Sequence, residues 1–252
     1  MTVRQAIVAQ LSSQALQAIC RDLGVEADNV SRAALARRAL QPNTISTANL
    51  LTYLDEAQLQ GVCEACGVAA TGLRATLTKR ILKHAQGPSF VAIDFETADY
   101  SRDSACAVGL ARVENHTIVQ RAYHLIRPPR RKFVFTYLHG ITWEDVAGQP
   151  SFGELWPTLA PMLDGVDFLA AHNAAFDRGV LHHCCAGAGL APPQLPFRCT
   201  VDLARRTWNI YPTKLHHVFD HLGIALKHHF AASDAEACAL IVIAAHRGAG
   251  AP

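Results

Sequence analysis

The residue pattern changes at Gln86-Gly87-Pro88, and this change divides the chain into two parts that must fold differently. Before it, apolar residues recur with helical spacing, and glycines end the apolar stretches. After it, Phe90-Val-Ala-Ile93 is a short apolar run with β-branched residues, which is typical of a buried strand. We therefore predict a helical domain at residues 1–86, a linker at 87–88 and a second, sheet-containing domain at 89–252.

The first part contains an internal repeat. Leu11, Leu16, Cys20, Gly24 and Val25 recur 43 residues later as Leu54, Leu59, Cys63, Gly67 and Val68. Leu35, Arg38 and Leu40 recur 42 residues later as Leu77, Arg80 and Leu82. Each unit is expected to form a helix, a glycine stop, a short loop and a second helix, whose buried face in the second unit would hold Leu73, Leu77 and Ile81. Neither unit can bury much surface alone, so we expect the two to pack together.

The second unit resembles a SAP motif, a short helix–loop–helix that usually binds DNA. The residues that carry the resemblance are Leu59, Gly67-Val68, Gly72, Leu77 and Lys79-Arg80-Ile81-Leu82. The resemblance implies that Gly72, Arg74, Lys79 and Arg80 contact DNA. The first unit has no clear counterpart of Gly72, so DNA binding is not expected of both units. A small helical domain for protein contacts is the alternative.

Composition excludes several classes of protein. Half of the residues are hydrophobic and 17% are charged, as in globular proteins, and the net charge is only +2, so any nucleic-acid contact must rely on local patches. The N-terminus has no signal-peptide pattern, and the longest apolar run, 237–245, is too short to span a bilayer. We expect a cytoplasmic protein without membrane contact. The eight cysteines, among them Cys63-x-x-Cys66, then favour free thiols over disulfides or a zinc site.

The second part predicts alternating strands and helices. Strands are expected at 105–113, 117–125 and 168–171, and helices at 175–188, 200–208, 213–222 and 231–246. Two further helices begin near Thr142 and Ser151, where side chains can cap them. Strands that come first and helices that follow indicate an α/β or α+β sheet domain.

Two carboxylates follow the first strand. Asp94 and Glu96 stand at positions i and i+2, so their side chains project to the same face of a strand. Like charges this close repel, and a divalent cation such as Mg²⁺ or Mn²⁺ would offset the repulsion with hard oxygen ligands. Asp-x-Glu also occurs by chance at solvated strand ends, so the pair needs support from elsewhere in the chain.

Two further segments offer that support. His172-Asn-Ala-Ala-Phe-Asp177 follows the strand at 168–171, and its aspartate falls on the first turn of a helix. His229-Phe-Ala-Ala-Ser-Asp234 precedes the last helix, so its histidine and aspartate could face the same point. Each aspartate alone could be a helix cap or a favourable charge at a helix N-terminus.

In their order along the chain, the three segments resemble the DEDDh, or DnaQ-like, 3′→5′ exonucleases, and among them the proofreading epsilon subunit of bacterial replicative DNA polymerase. The loop His139-Gly-Ile-Thr142 also matches a segment of this family. The resemblance covers residues from about 89 to 245. It implies a ribonuclease-H-like fold, in which helices flank a mixed five-stranded sheet.

The resemblance also implies a mechanism with two Mg²⁺ or Mn²⁺ ions. Asp94 would bind both ions, Glu96 and Asp234 would complete the site of one, and Asp177 would hold the other. His229 would accept the proton of the attacking water, because a neutral imidazole is a suitable base at cellular pH.

Residues beside the acidic ones are candidates for substrate binding. Phe95 and Phe176 could stack on or wedge against terminal bases; the alternative is that either one belongs to the core. Thr97 and Asn173 could hydrogen-bond the terminal sugar or its phosphate, and His172 is a further candidate for substrate binding. The basic loop 127–132 could hold phosphates further along the strand.

Three functions remain compatible with the sequence. The first is a 3′→5′ exonuclease on single-stranded DNA, tethered to the polymer by the helical domain. The second is an exoribonuclease with the same chemistry, since the catalytic residues do not distinguish sugars. The third is a non-catalytic binding protein, against which the complete acidic set argues. A polymerase or repair protein as partner, the oligomeric state and processivity cannot be read from the sequence.

Overall fold

The computed structural model describes residues 2–40, 45–223 and 230–247. Contacts between residues divide the chain into two compact units, Met1–Gly87 and Pro88–Pro252. Among the residues described, no helix combines the length and the apolar character that crossing a membrane requires.

The N-terminal unit consists of two similar groups of three helices. The first group is α1 (Val3–Gln10), α2 (Ser13–Asp22) and α3 (Arg32–Ala39), and the second is α4 (Thr47–Thr52), α5 (Glu56–Ala65) and α6 (Arg74–Gln86). Leucines at the repeated positions, including Leu16, Leu35, Leu59 and Leu77, are buried in one common core. The helices α1 and α4 precede the part of the repeat that the sequence reveals, so the helix–loop–helix predicted for each unit is a three-helix unit.

Glycines end the middle helix of each group, as predicted. Gly24 and Gly67 adopt left-handed φ values of +67° and +68°, which glycine tolerates because it has no Cβ. Leu73 departs from the prediction that it lies on the buried face of α6. It takes the N-cap position of that helix, outside the helical turn that faces the core, and is 76% exposed.

The two groups use their arginines in the same way. Arg32 donates to carbonyls at the end of α1, and Arg74 donates to carbonyls at the end of α4. Arg38 and Arg80 each donate to a carbonyl in the loop that precedes their own helix. The acceptors are Val8, Ala9 and Leu11 for Arg32; Leu51 and Leu54 for Arg74; Glu26 for Arg38; and Ala69 and Thr71 for Arg80. Arg32 and Arg74 thus satisfy carbonyls at helix ends that would otherwise lack donors, and Arg38 and Arg80 do the same for loop carbonyls.

The second unit is built on a mixed sheet of five strands. These are β1 (Phe90–Thr97), β2 (Ala105–Glu114), β3 (Thr117–Leu125), β4 (Phe168–Ala171) and β5 (Phe197–Cys199). Their order across the sheet is β3-β2-β1-β4-β5. The pairs β3–β2 and β2–β1 are antiparallel, and the pairs β1–β4 and β4–β5 are parallel. The predicted five-stranded mixed sheet is therefore confirmed, although the short β5 was not located from the sequence.

Helices cover both faces of the sheet. They are α7 (Thr136–His139), α8 (Trp143–Val146), α9 (Phe152–Leu159), α10 (Ala174–Gly187), α11 (Thr200–Trp208), α12 (Leu215–Leu222) and α13 (Ala231–Arg247). Val91, Ile93 and Phe95 of β1 pack in the core that α9 and α10 share. Phe90 and Ala92 face the opposite way, against α13. This alternation fixes which face of the sheet receives each later residue of β1.

Candidate active site

Three carboxylates meet where β1 passes the beginning of α13. Asp94 and Glu96 continue the α13 side of β1, and Asp234 lies in the first turn of α13. One oxygen from each carboxylate can be chosen so that all three lie within 4.8 Å of one another. The structure thus brings together three residues that the sequence predicts as metal ligands, two of them on a strand and one 138 residues further along the chain.

Gly109 permits this arrangement. It lies on β2 directly opposite Asp94, and a Cβ at this position would stand 2.1 Å from the carbonyl oxygen of Ala231 and 2.6 Å from the nitrogen of Ala232. The first turn of α13 can therefore approach the sheet beside Asp94 only because residue 109 has no side chain. The sequence offered no signal for this role, since the residues concerned are far apart in it.

Asp177 comes from the other side of the sheet. It lies in the first turn of α10, is buried, and accepts a hydrogen bond of 3.0 Å from the backbone N–H of Phe95. Burial raises the pKa of Asp177 to about 8, against the effect of hydrogen bonds from the Phe95 and Asp177 backbone, and the charge of Glu96 raises it further. The hydrogen bond fixes Asp177 against the strand between Asp94 and Glu96.

The cluster is electrostatically costly without a cation. Burial raises the pKa of Asp94 well above its ordinary value, and the nearby carboxylates of Asp177, Glu96 and Asp234 raise it further. Burial and the charge of Asp234 raise the pKa of Glu96 to about 7. Carboxylate oxygens that repel one another at this spacing fit a hard divalent cation such as Mg²⁺ or Mn²⁺, which would supply the missing positive charge.

His172 serves the structure of the site rather than the substrate. Its Nε2 donates to the carbonyl oxygen of Thr213 at 3.0 Å, and its Nδ1 lies 2.9 Å from the hydroxyl of Thr200. Both ring nitrogens of His172 thus have partners within the protein, which leaves neither of them for the substrate contact that the sequence predicts for this residue. Its neighbour Asn173 is exposed, has a left-handed φ of +65° and leads into α10.

The two aromatic candidates have different surroundings. Phe95 is 3% exposed and packs in the core under α9 and α10, because alternation turns it away from the face of Asp94 and Glu96. The expectation that Phe95 stacks on a base is therefore corrected. Phe176 is 38% exposed in the first turn of α10, next to Asp177. Thr97 is buried at the end of β1.

The loop that begins at His139 is attached to the end of β1. His139 Nε2 donates to the carbonyl oxygen of Thr97 at 3.2 Å, and its Nδ1 accepts from the N–H of Ile141 at 3.0 Å. Both contacts suit one neutral tautomer of the imidazole, with the proton on Nε2. His139 is thus a positioning residue for the strand end that carries Glu96.

The predicted base, His229, lies outside the described residues. The chain is described again from Phe230, whose ring contacts Tyr123 with the ring centroids 4.6 Å apart.

Three of the four cations of the basic loop 127–132 have partners within the protein. Arg130 pairs with Asp99 and Asp103, and the guanidinium of Arg131 lies 5.1 Å from the centre of the Trp143 ring. The remaining contact is between Arg127 and Glu154. The loop therefore offers less free positive charge for phosphates than its sequence indicates.

Comparison with known proteins identifies the second unit. The exonuclease family model RNase_T matches residues 91–242, which is more than half of the chain. The DNA polymerase III PolC-type of Clostridium perfringens is 34% identical over 158 residues, which are 61% of this chain and 11% of that protein. The corresponding protein of Thermotoga petrophila is 27% identical over 162 residues, 63% of this chain and 12% of that protein. The chain spans about a tenth of the length of these relatives.

Solved structures agree with the sheet topology. Exonuclease X, in a complex with 5′ overhanging duplex DNA, has a TM-score of 0.51 and 27% identity, with 64% of this chain and 95% of that chain covered. The nuclease domain of 3′hExo, a DEDDh family member bound to rAMP, has a TM-score of 0.55 over 62% of this chain and 90% of that chain. At 17% identity, the second likeness concerns the fold alone.

Proposed function

Since this chain belongs to the exonuclease family, as a 3′→5′ exonuclease of DnaQ-like type, we propose that it removes nucleotides from the 3′ ends of single-stranded DNA by metal-dependent phosphodiester hydrolysis. The observation that carries the proposal is the convergence of Asp94, Glu96 and Asp234 within 4.8 Å, with Asp177 buried beside them. DNA is favoured as substrate because Exonuclease X, 27% identical, was solved with DNA, and the PolC-type relatives are DNA polymerases.

The acidic residues would hold two Mg²⁺ or Mn²⁺ ions. In this proposal Asp94 contributes to both sites, Glu96 and Asp234 complete one of them, and Asp177 completes the other. When bound, such ions lower the pKa of a water molecule and stabilise the charge on the attacking and leaving oxygens. The hydrogen bond from the Phe95 N–H holds one carboxylate oxygen of Asp177 against β1. The same hydrogen bond restricts rotation of the carboxylate and so limits where its other oxygen can lie.

We assign the proton acceptor to His229 on its place in the sequence pattern, five residues before Asp234. A neutral imidazole accepts a proton well at cellular pH, so activity should fall as the medium becomes acidic. An activity profile that stays flat from pH 5 to 9 would argue against this role.

Three residues are proposed to receive the terminal nucleotide. The exposed ring of Phe176 offers a surface on which a base can stack, which contributes about 1–3 kcal/mol per base. The exposed amide of Asn173 can donate to a sugar or phosphate oxygen. Thr97 is proposed to contribute from the end of β1.

The N-terminal unit is proposed to hold nucleic acid through the outer face of α6. Arg74 and Arg80 are withdrawn from this role because their guanidinium groups bind backbone carbonyls of their own unit. Lys79 remains, together with Lys83 one turn later; both are exposed and take part in no ion pair among the described residues. Gly72, with a left-handed φ of +118°, shapes the loop before α6. A Lys79→Gln variant should bind DNA less tightly, whereas Arg37→Gln, at the equivalent position of the first unit, should not.

The proposal is tested with 5′-labelled single-stranded DNA and a matched RNA. Each is incubated with the full-length protein in Mg²⁺, Mn²⁺ or EDTA, alongside an Asp94→Asn variant. We expect a ladder that shortens from the 3′ end of DNA, requires metal and is absent in the variant. Preferential cleavage of RNA would change the substrate, and no cleavage of either polymer under any metal would overturn the proposal.

A further inference from the structure

A cavity of about 540 Å³ lies at the N-terminal end of α10, the helix whose first turn carries Asp177. One wall is formed by His172 and Asn173, the turn that joins β4 to α10 and therefore leads to Asp177. The opposite wall is formed by α11 and the segment before α12, from which Arg205 and Lys214 line the cavity. We refer to it as the Asn173 cavity.

The charge of the Asn173 cavity is opposite to that of the acidic cluster. Arg205 and Lys214 face a single carboxylate, Asp202, so the lining carries a net charge of +1. Neither cation takes part in an ion pair among the described residues, unlike Arg127 and Arg130 of the loop 127–132. Cations that line a cavity without a partner are suited to bind an anion.

Arg205 is held in position before any ligand arrives. Its Nε donates to the hydroxyl of Thr213 at 3.0 Å, and its guanidinium carbon lies 5.4 Å from the centre of the Tyr211 ring. The hydroxyl of Thr213 donates in turn to the carbonyl of Ile210 at 2.8 Å, and the Thr213 carbonyl accepts from His172. With Nε occupied, the terminal nitrogens remain as a planar pair of donors, the arrangement that matches two oxygens of a phosphate.

We infer that the Asn173 cavity binds a backbone phosphate of the substrate strand, on the 5′ side of the bond that is cleaved, through Arg205 and Lys214. This inference rests on the proposed function. When an exonuclease holds a 3′ terminal nucleotide at its acidic cluster, the rest of the strand can leave only in the 5′ direction. A cationic cavity one helical turn from Asp177 would then receive the next part of the backbone and offset its repulsion from the carboxylates.

The cavity should affect substrate binding more than the chemical step. A phosphate held there does not react, so its contact stabilises the bound substrate and the transition state equally, and its loss raises KM while kcat stays the same. Each phosphate contact to a single strand also makes the plot of log binding constant against log salt concentration steeper, by about −0.7 in slope.

The test compares Arg205→Gln and Lys214→Gln with Arg206→Gln in the full-length protein. Arg206 lies on the same helix but does not line the cavity; its Nε donates to the backbone of Asp202 at 3.2 Å. Kinetics are measured on 5′-labelled oligothymidylate in Mg²⁺ at several salt concentrations. We expect KM to rise about threefold to tenfold in the first two variants, with kcat unchanged within about twofold and a smaller salt slope. Arg206→Gln should resemble the wild type.

A chemical change in the DNA makes the test sharper. Oligothymidylates with one uncharged methylphosphonate are offered, with the modification moved along the strand. At one linkage near the 3′ end the modification should raise KM for the wild type but cause no further rise for the Lys214→Gln variant. The Lys214 side chain forms no ion pair with any of the residues that the structure describes, so its loss should leave the fold intact. If both cavity variants keep the KM of the wild type while it degrades DNA normally, the inference fails and the proposed function stands. If the wild type degrades no DNA, both fail together.

Discussion

A single methyl group at residue 109 should separate folding from activity. In Gly109→Ala, the new Cβ would lie 2.1 Å from the carbonyl oxygen of Ala231, whereas Cβ atoms in proteins essentially never lie within 3.0 Å of a non-bonded atom. The backbone at residue 109 is extended strand with no left-handed φ, so alanine itself fits the conformation. The clash can be relieved only if the first turn of α13 retreats by about 1 Å.

That retreat acts directly on the acidic cluster. Asp234 lies three residues after Ala231 in the same turn, so its carboxylate would move away from Asp94 and Glu96 by a similar distance. A misplacement of about 1 Å can reduce catalysis by about 10²-fold. Overpacking of this kind also costs about 1–3 kcal/mol of stability, which lowers the melting temperature of a protein of this size by about 2–4 °C per kcal/mol.

The assay measures kcat on 5′-labelled single-stranded DNA in saturating Mn²⁺, together with the melting temperature. Gly187→Ala is the matched control, because a Cβ there meets no atom within 4 Å. We expect Gly109→Ala to remain folded at the assay temperature and to lose about 10²-fold in kcat, while the control keeps both properties. A Gly109→Ala protein with nearly the kcat of the wild type would refute the view that this glycine sets the position of Asp234.

Three further predictions concern the same site. Asp94→Asn should abolish cleavage but raise the melting temperature of the metal-free protein, because it removes one of the carboxylates that repel one another. Thermal unfolding in EDTA should show a rise of about 2–4 °C for each kcal/mol of repulsion relieved. A melting temperature below that of the wild type would contradict this repulsion. Glu96 has a folded-state pKa of about 7, above its ordinary 4.5, so the metal-free protein should lose stability as pH rises from 4.5 to 7. Because a bound metal ion displaces this proton, metal affinity below pH 7 should rise up to about tenfold per pH unit for each proton displaced. Metal-induced shifts of the melting temperature that are equal at pH 6 and pH 8 would exclude this coupling between metal and proton binding. His139→Ala should lower the free energy of unfolding by about 1–3 kcal/mol, because the Ile141 N–H loses its acceptor. A free energy of unfolding in denaturant equal to that of the wild type would rule out the contact.

The parts of the site that follow from local periodicity could be predicted from the sequence. Alternation along a strand places Asp94 and Glu96 on one face, and the same rule turns Phe95 into the core. The sequence therefore also predicts a buried Phe95, even though its position between two acidic residues favours a substrate role. Elements with strong periodicity, such as β2 and α13, were located within a few residues, whereas the three residues of β5 were too few to form a pattern.

Other features depend on residues that are distant in the sequence. Gly109 and Ala231 are separated by 122 positions, and no local pattern relates the space beside a glycine to the start of a helix. The role of His172 depends on Thr200 and Thr213 in the same way. Such roles become visible only when the fold has brought the partners together.

Positive charge in a sequence is likewise a poor guide to nucleic-acid binding, because distant contacts decide which cations stay available. Residues 1–86 carry nine Lys and Arg against six Asp and Glu. Four of these cations, however, donate hydrogen bonds to backbone carbonyls of their own unit: Arg32, Arg38, Arg74 and Arg80. In contrast, Arg205 and Lys214 lie outside the basic segments that the sequence singles out, yet they line the Asn173 cavity without an ion-pair partner among the described residues. A phosphate-binding surface is therefore better sought among cations that the fold leaves without an ion-pair partner than among those that lie close together in the sequence.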